Sequence, residues 1–157
     1  MEIRLINLNK SEHRAAFRLL LNEYMKDKMG LQKPLEDELA QKVMEDLGNH
    51  PVYRGFLVQK DNDYLALANC FINYSTFSGH HLINIHDFVV HPQHRGQGVG
   101  FFLLSGIQQY ALQQGYCRIN LEVRHDNHYA MQLYRKFGFK ECNPPMYFWE
   151  KQLPVND

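Results

Sequence analysis

Apolar and polar residues along the start of the chain follow patterns that predict one strand and two helices. Residues 2–7 alternate, as expected for a strand with one buried face. From Ser11 to Asp27 the apolar residues recur at helical spacing, and a second helical pattern runs from Pro34 to Leu47. Proline suits a first helical turn, and the acidic residues after Pro34 favour the positive end of the helix dipole.

The rest of the chain predicts further strands and two more helices. Strand-like runs cover Tyr53–Gln59, Tyr64–Tyr74, Leu82–Val90 and Ile119–Val123, and two more close the chain at Phe139–Cys142 and Tyr147–Leu153. Helical patterns extend from Val99 to Gly115 and from Asn127 to Lys136. The order β-α-α-β-β-β-α-β-α-β-β differs from a regular βαβ repeat. We therefore expect an α+β fold in which helices pack against a mixed sheet.

Composition narrows the class of protein. The 157 residues are 45% hydrophobic and contain no repeat or linker-like run, so we expect a single domain over residues 1–157. Seventeen basic and seventeen acidic side chains give no net charge, which argues against a nucleic-acid partner. No apolar run reaches the roughly 20 residues that span a bilayer, so no membrane partner is expected. Three scattered cysteines fit reduced thiols in the cytoplasm.

The chemically informative segment lies between the strand that ends at Val90 and the following helix. Its sequence, Arg95-Gly96-Gln97-Gly98-Val99-Gly100, lets the backbone approach a ligand and point several N–H groups at one anion. The helix start adds unpaired N–H groups and a positive dipole end. Arg95 adds a fixed positive charge. These features predict a pyrophosphate cradle, and a glycine-rich turn that only caps the helix is the plainer alternative.

Two common phosphate-binding loops do not fit this segment. A Walker A loop ends in Gly-Lys-Ser/Thr, but Val99 follows Gly98 and Phe101 follows Gly100. A dinucleotide fingerprint that starts at Gly96 requires a third glycine where Phe101 stands. The segment therefore belongs to another class of loop.

The segment resembles the acyl-CoA loop of the GNAT superfamily of N-acetyltransferases, Gln/Arg-x-x-Gly-x-Gly/Ala, through Arg95, Gly98 and Gly100. Residues 85–90 look like the family's central strand, where a bulge opens the sheet. The family's second signature is matched by Asn127, Ala130, Tyr134, Gly138 and Phe139. The resemblance implies the GNAT fold, a mixed, mostly antiparallel sheet of six to seven strands with a bulged central strand and about four flanking helices.

The resemblance also implies acetyl-CoA as co-substrate and assigns residues to it. The assigned residues are Phe88, Val89, Val90, Arg95, Gly96, Gln97, Gly98, Val99, Gly100, Phe101, Asn127 and Tyr134. Asn127 would hydrogen-bond CoA at a helix start, although asparagine there is also an ordinary N-cap. Tyr134 matches the family's tyrosine beside the CoA sulfur and would be the general acid. Packing in the core is its plainer role.

Acetyl transfer also needs a base, because alkyl amines are mostly charged at neutral pH. His86 and Asp87 are candidates, but adjacent strand residues face opposite sides unless a bulge re-aims one of them. Ser75-Thr76-Phe77 and Asp87-Phe88 resemble the diamine-acetyltransferase branch, which usually has glutamate where this chain has His86. Imidazole can still accept a proton. His86, Asp87 and a water chain therefore all stay open as the base.

The expected reaction is direct transfer of acetyl to a primary amine of a small molecule or peptide in a ternary complex. The segments Tyr24–Gly30 and Ser75–Gly79 are expected to shape the amine site. A non-catalytic acyl-CoA sensor is the alternative function. Five histidines between His80 and His94 lack a completing ligand, so no metal is expected. Many relatives are dimers, which leaves a homodimer open for this chain.

Overall fold

A five-stranded sheet forms the centre of the computed structural model, which describes residues 1–155. The strands are β1 (Glu2–Leu5), β2 (Tyr53–Lys60), β3 (Asp63–Ser75), β4 (His80–Val90) and β5 (Ile119–Leu121), and they lie side by side in that order. Strands β1 to β4 pair antiparallel, whereas β5 is parallel to β4. The predicted mixed, mostly antiparallel sheet is confirmed. Residues 156 and 157 of the predicted domain lie outside the described residues.

Within residues 1–155, four α-helices pack on the sheet, as predicted. They are α1 (Ser11–Lys26), α2 (Asp37–Gly48), α3 (Val99–Gln113) and α4 (His128–Phe137), and a 3-10 turn at Pro92–His94 precedes α3. Helix α2 begins later than predicted, because the Asn22 side chain accepts the Leu35 N–H at 2.9 Å and Glu36 is extended. In this part of the chain no helix has the length and apolarity to cross a bilayer.

Each face of the sheet has its own apolar cluster. One face carries α1 and α2, with Phe17 packed near Leu57, and both side chains are fully buried. The other face carries α3 and α4, with Leu103 and Ile83 equally buried. Burial on both faces explains why the centre of β3 is a continuous apolar run and does not alternate.

The two predicted C-terminal strands do not form, so the prediction of six to seven strands is wrong for the described residues. Phe139–Cys142 and Tyr147–Leu153 are irregular. A strand needs a neighbour that pairs with its backbone groups, and residues 140–155 form no backbone hydrogen bond with the described chain. Pro144 and Pro145, between the two segments, also have no N–H to donate.

Candidate functional site

A cleft of about 1310 Å³ opens among the ends of β4 and α1, the start of α3, and α4. Every residue predicted for the site except Asp87 lines it, namely His86, Phe88, Val89, Val90, Arg95, Gly96, Gln97, Gly98, Val99, Gly100, Phe101, Asn127 and Tyr134. The segment Tyr24–Gly30 also contributes to the lining. The loop Ser75–Gly79 does not line this cleft, and its expected role in shaping the amine site stays a prediction.

A bulge in β4 separates the two candidate bases. Asp87 pairs with Asn69 of β3 and Ile85 pairs with Cys70, so His86 has no partner across the strand pair. The extra residue interrupts the alternation of the strand at this position. His86 is exposed and lines the cleft, with its ring centroid 5.6 Å from that of Phe71. The predicted bulge is confirmed, and the residue it presents to the cleft is His86.

Asp87 is half-buried and is held by two residues that the sequence analysis missed. Asn69 Nδ2 donates to Asp87 Oδ2 at 2.9 Å, and the Tyr53 hydroxyl donates to Asn69 Oδ1 at 2.8 Å. Asn69 is only 2% exposed. Burial raises the pKa of Tyr53, so its hydroxyl keeps the proton that it donates. The sequence feature that could have pointed to Asn69 is an asparagine inside the apolar run of β3, because a buried amide without a hydrogen-bond partner costs free energy.

The backbone at the start of α3 has a run of unpaired N–H groups. Within residues 1–155, the N–H groups of the five residues from Gln97 to Phe101 have no acceptor. Gly96 and Gly98 have φ of +75° and +80°, a left-handed conformation that glycine adopts without steric cost. Together with the positive end of the α3 dipole, these groups form a site for an anion.

The last two glycines of the loop, Gly98 and Gly100, have different surroundings. A Cβ atom placed on Gly98 would meet no other atom within 4 Å, so this position borders open space. A Cβ on Gly100 would lie 2.9 Å from Leu133 Cδ2, so Gly100 allows α3 and α4 to pack closely. Gly98 therefore borders the space a ligand would use, and Gly100 has a packing role.

The side chain of Arg95 is engaged with protein groups. Its Nε donates to the Val90 carbonyl at 3.2 Å, and Nη2 pairs with Asp27 Oδ2 at 3.0 Å. Partial burial raises the pKa of Asp27, whereas the hydrogen bond from the Met29 N–H and the Arg95 guanidinium lower it. The lowering effects are larger together, so the pKa of Asp27 lies below its ordinary value. Arg95 thus ties the end of α1 to the glycine loop, a contact that sequence spacing does not reveal.

Beyond the bulge, one edge of β4 is open. Strand β5 pairs only with Ile83 to Ile85 of β4, so in the described chain no strand lies beside Phe88 to Val90 on that side. Phe88 and Val90 pack towards α3 and α4, whereas Val89 packs into the opposite cluster. The open edge offers backbone groups to an extended ligand.

Tyr134 is 8% exposed and lies between aromatic rings. Its ring centroid is 6.0 Å from that of Phe88 and 5.7 Å from that of Phe139. Its hydroxyl makes no hydrogen bond with a described residue. Every fully buried side-chain oxygen of these residues has a partner, so the Tyr134 hydroxyl is accessible and reaches the cleft. Burial, and then the nearby Tyr24, raise the pKa of Tyr134. Its phenol is therefore neutral at physiological pH.

Tyr24, at the end of α1, contributes a second hydroxyl to the cleft. Burial raises the pKa of Tyr24, and the negative charges of Asp87 and Asp27 raise it further, against the opposing effect of Arg124. The negative charge of Asp87 therefore acts on Tyr24 in the cleft, although the Asp87 side chain does not line the cavity. The sequence analysis had expected the segment that contains Tyr24 to shape this region.

Helix α4 contributes two polar contacts. The Asn127 Oδ1 accepts the Ala130 N–H at 3.2 Å, so Asn127 is the N-cap of α4. Its Nδ2 remains as the group that could donate to a ligand. The Gly96 N–H donates to the Tyr129 hydroxyl at 3.1 Å, which anchors the glycine loop to α4. Nothing in the sequence pattern had singled out Tyr129.

Phe101 is the last residue of the unpaired run and packs against α4. Its side chain is 40% exposed, and its ring centroid is 5.0 Å from that of Phe137. The side chain of Gln97 turns back on the loop and donates to the Gln93 carbonyl at 2.9 Å. Both residues thus present backbone N–H groups to the cleft while their side chains make contacts within the protein.

Among the described residues, no three His, Cys, Asp or Glu side chains are grouped to hold a metal ion.

Comparison with known proteins gives one family and a consistent set of relatives. The model of the acetyltransferase (GNAT) family matches residues 15–139. The chain is 34% identical over 71 residues to a thialysine N-epsilon-acetyltransferase of Bos taurus, a match that covers 45% of this chain and 41% of that protein. It is 28% identical over 131 residues to an uncharacterized N-acetyltransferase of Schizosaccharomyces pombe, covering 82% and 77% of the two chains.

The fold also matches a solved structure. An aminoglycoside N-acetyltransferase in complex with CoA superposes with a TM-score of 0.76 at 17% identity, covering 97% of this chain and 95% of that one. At this identity the match establishes the fold alone.

Proposed function

The chain belongs to the acetyltransferase (GNAT) family, and we propose that it transfers acetyl from acetyl-CoA directly to a primary amine of a small molecule or peptide. The observation that carries the proposal is the run of unpaired N–H groups from Gln97 to Phe101 beside the cleft that the Tyr134 hydroxyl reaches. A ligand with a pyrophosphate at one end and a thioester at the other matches both features.

Acetyl-CoA would bind mainly through backbone groups. Its pyrophosphate would accept hydrogen bonds from the N–H groups of residues 97–101, where the helix dipole favours negative charge. The amides of the pantetheine arm would pair with the open edge of β4 from Phe88 to Val90, as an added strand does. Asn127 Nδ2 would supply a further donor. Arg95 would favour the anion by its positive charge while it stays bound to Asp27.

Tyr134 is the proposed general acid. The amine nitrogen attacks the thioester carbon, the C–S bond breaks, and the departing sulfur takes a proton from the Tyr134 hydroxyl. The raised pKa of Tyr134 means that its phenol carries the proton before the reaction begins. The transfer itself requires the hydroxyl to lie within hydrogen-bond reach of the sulfur. The aromatic rings around Tyr134 hold the hydroxyl at one position.

His86 is the proposed base that takes the proton from the amine, directly or through one water. It lines the cleft at the bulge, whereas Asp87 lies outside the lining and is bound to Asn69. A neutral imidazole has a ring nitrogen that can accept the proton of an attacking amine. Asp87 is proposed to attract the ammonium form of the amine by its negative charge.

The acceptor is proposed to enter between Tyr24 and His86, both of which line the cleft. One relative is named a thialysine N-epsilon-acetyltransferase, and one protein of similar fold is named an aminoglycoside N-acetyltransferase. Asp27 is paired with Arg95, whereas Asp87, whose charge acts on Tyr24, and Glu122, which lines the cleft, would draw a cationic amine into it. We therefore expect small polyamines or amino acids with a side-chain amine to be better acceptors than neutral amides.

The free cysteines bear on the cellular compartment in which the protein works. Cys70, Cys117 and Cys142 are all free thiols, of which Cys70 is buried. Free thiols persist in reducing compartments, and we propose that the reaction takes place in the cytoplasm.

The test measures thiol release from acetyl-CoA with a panel of amines, together with the Kd of CoA against ATP and NAD. We expect CoA to bind much more tightly than either nucleotide and at least one primary amine to be acetylated. Mass spectrometry of the product should show one added acetyl group on nitrogen. CoA binding without turnover of any amine would instead favour an acyl-CoA sensor. A lack of CoA binding would contradict the proposed function.

A further inference from the structure

A second pocket, of about 540 Å³, lies at the start of α1. Strand β1 and the hairpin that joins β2 to β3 form its other walls, and none of its lining residues lines the cleft. Between His13 in this pocket and Tyr24 in the cleft, α1 rises about 16 Å. The pocket is therefore a separate place from the candidate active site.

Positive charge predominates in the lining of this pocket. Lys10 and Arg4 both line it, against the single carboxylate of Glu12. Lys10 forms no ion pair within residues 1–155. Arg4 pairs with Glu2, which lies outside the lining, and its Nε donates to Gln59 Oε1 at 3.0 Å. The guanidinium is thus held at the rim with Nη1 still available as a donor.

The backbone at the start of α1 also has donors without acceptors. Within residues 1–155, the N–H groups of Ser11, Glu12 and His13 have no acceptor, and no side chain caps this end of the helix. The positive end of the helix dipole lies at the same place and favours negative charge. The backbone therefore adds to the effect of the two cationic side chains.

The group that points to a ligand is the side chain of His13, which is only 6% exposed. Its Nδ1 accepts the Asn7 N–H at 2.9 Å, so a neutral ring carries its proton on Nε2. Nε2 has no partner in the described chain, where every fully buried side-chain nitrogen has one, so it reaches the pocket that His13 lines. Buried donors in folded proteins are normally paired, and here the pocket is where the acceptor would lie.

The surroundings of His13 fix its charge state and its orientation. Burial, and then the positive charge of Lys10, lower the pKa of His13; Glu12 raises it and Arg4 lowers it further. The net effect is a lowered pKa, so the ring is neutral at physiological pH and Nε2 is a donor. The ring of Tyr64 packs edge-on against it at a centroid distance of 5.9 Å.

We propose that this pocket binds a small anion through its carboxylate or phosphate oxygens. The Nε2–H of His13 would donate to one oxygen, and Lys10 and Arg4 would supply charge-assisted hydrogen bonds to the others. A ligand whose polar atoms are acceptors matches a site whose unpaired groups are donors. The site is independent of acetyl transfer, because no part of the cleft takes part in it.

The test titrates the isotope-labelled full chain with inorganic phosphate or with succinate and follows it by NMR. We expect saturable shifts of the His13 ring and of the amides of residues 11–13, with a Kd of about 1 mM or below. The pKa of His13 should rise on binding, because a nearby anion favours the imidazolium form. A response to phosphate alone, to succinate alone or to both identifies which oxygens the site prefers.

Phosphate can also bind at the glycine loop of α3, and the same spectra separate the two sites. Binding there shifts the amides of residues 97–101, whereas binding in the second pocket shifts those of residues 11–13. Shifts confined to residues 97–101 would therefore overturn the proposal.

Three variants complete the test. Lys10→Gln should raise the Kd roughly 10-fold or more, the scale of one hydrogen bond to a charged group. His13→Asn keeps an acceptor for the Asn7 N–H, removes the Nε2 donor, and should weaken binding by a similar factor. Lys42→Gln changes an exposed lysine of α2 outside the pocket and should leave the Kd unchanged. Thermal unfolding shows whether each variant keeps its fold.

The absence of saturable shifts at residues 11–13 with both anions overturns the proposal. Equal Kd values in Lys10→Gln and Lys42→Gln also overturn it, and because Lys10 is exposed this comparison does not depend on a change in the core. These measurements do not involve turnover, so their outcome is separate from that of the proposed activity.

Discussion

Unpaired backbone groups occur both at the start of α3 and in residues 146–153, and the two regions differ in what can satisfy them. At α3 the N–H groups of residues 97–101 lie together beside the cleft, where one anion could accept several of them. In residues 146–153 no backbone group pairs with a described residue, so these groups are left to solvent or to a strand from elsewhere. Backbone geometry therefore decides whether unpaired groups suit a small ligand or another chain.

The side chains of the two regions support the same distinction. The loop contains glycines at φ of +75° and +80°, which leave the N–H groups accessible. Residues 146–153 carry large aromatic side chains, which supply the apolar area that strand addition needs. Changes confined to residues 146–153 should thus leave CoA binding unchanged, whereas changes to the glycine loop should weaken it.

The largest expected effect is on turnover, through Tyr134→Phe. The change keeps the ring packing and removes only the donor, so kcat should fall roughly 10²–10⁴-fold with little change in the Kd of acetyl-CoA. Tyr147→Phe, in residues 146–153, is the matched control and should retain full turnover. Wild-type kcat in Tyr134→Phe, with chemistry as the rate-limiting step, would return Tyr134 to a packing role.

Gly98→Val should abolish most CoA affinity while the chain keeps its fold. The new side chain would enter the space beside the unpaired N–H groups, and the loss of one or two hydrogen bonds to a charged group would weaken binding roughly 10–10³-fold. Gly115→Val is the control, because Gly115 also has positive φ and open space but ends α3 outside the cleft lining. Equal CoA affinity in the two variants, measured by calorimetry, would rule out this loop as the pyrophosphate site.

His86→Gln should change the pH dependence of kcat/KM. If neutral imidazole is the base, wild-type kcat/KM should rise with pH as the imidazole loses its proton, and the variant should lose that rise and be roughly 10²-fold slower. The Kd of acetyl-CoA should not change. A rise that persists at the same midpoint in His86→Gln would eliminate the histidine and favour Asp87 or a water chain.

Asn69→Leu should lower the free energy of unfolding by about 1–3 kcal/mol, because it leaves the Tyr53 hydroxyl and the Asp87 carboxylate without their partner. Asn73→Leu, at an exposed position of the same strand, should change it by less than about 0.5 kcal/mol. Urea unfolding measures both. Equal effects in the two variants would show that the buried hydrogen bonds of Asn69 add no stability.

The smallest effect is expected for Asp27→Asn. The pKa of Asp27 is lowered in the folded chain, so its charge stabilises the fold above the unfolded-state value near ~3.9 and stops doing so as pH falls through the folded value. Because Arg95 is partly exposed, the difference from wild type at pH 7 should be at most about 1 kcal/mol. It should shrink towards zero in strong acid. A difference that grows in acid would contradict this interpretation.

Much of the fold and the site could be predicted from local patterns. Helical spacing identified α1 and α3, and alternation identified β5. The resemblance to GNAT signatures identified Gly98, Asn127 and Tyr134, which do line one cleft. These features depend on residues close in the chain, because periodicity, caps and glycine turns are set by the local backbone.

Other features depended on contacts between residues far apart in the chain. Arg95 binds Asp27, which lies 68 positions earlier, and Asn69 binds Asp87, which lies 18 positions later. The bulge that presents His86 to the cleft arises from the register between β3 and β4. Residues 146–153 have the sequence of a strand but no strand partner within the described chain, because strand formation requires a neighbouring edge. Sequence alone therefore determined which backbone segments could form helices, strands and an anion site. Tertiary structure decided which side chains face the cleft and which strands are paired, because both depend on partners that only the folded chain brings together.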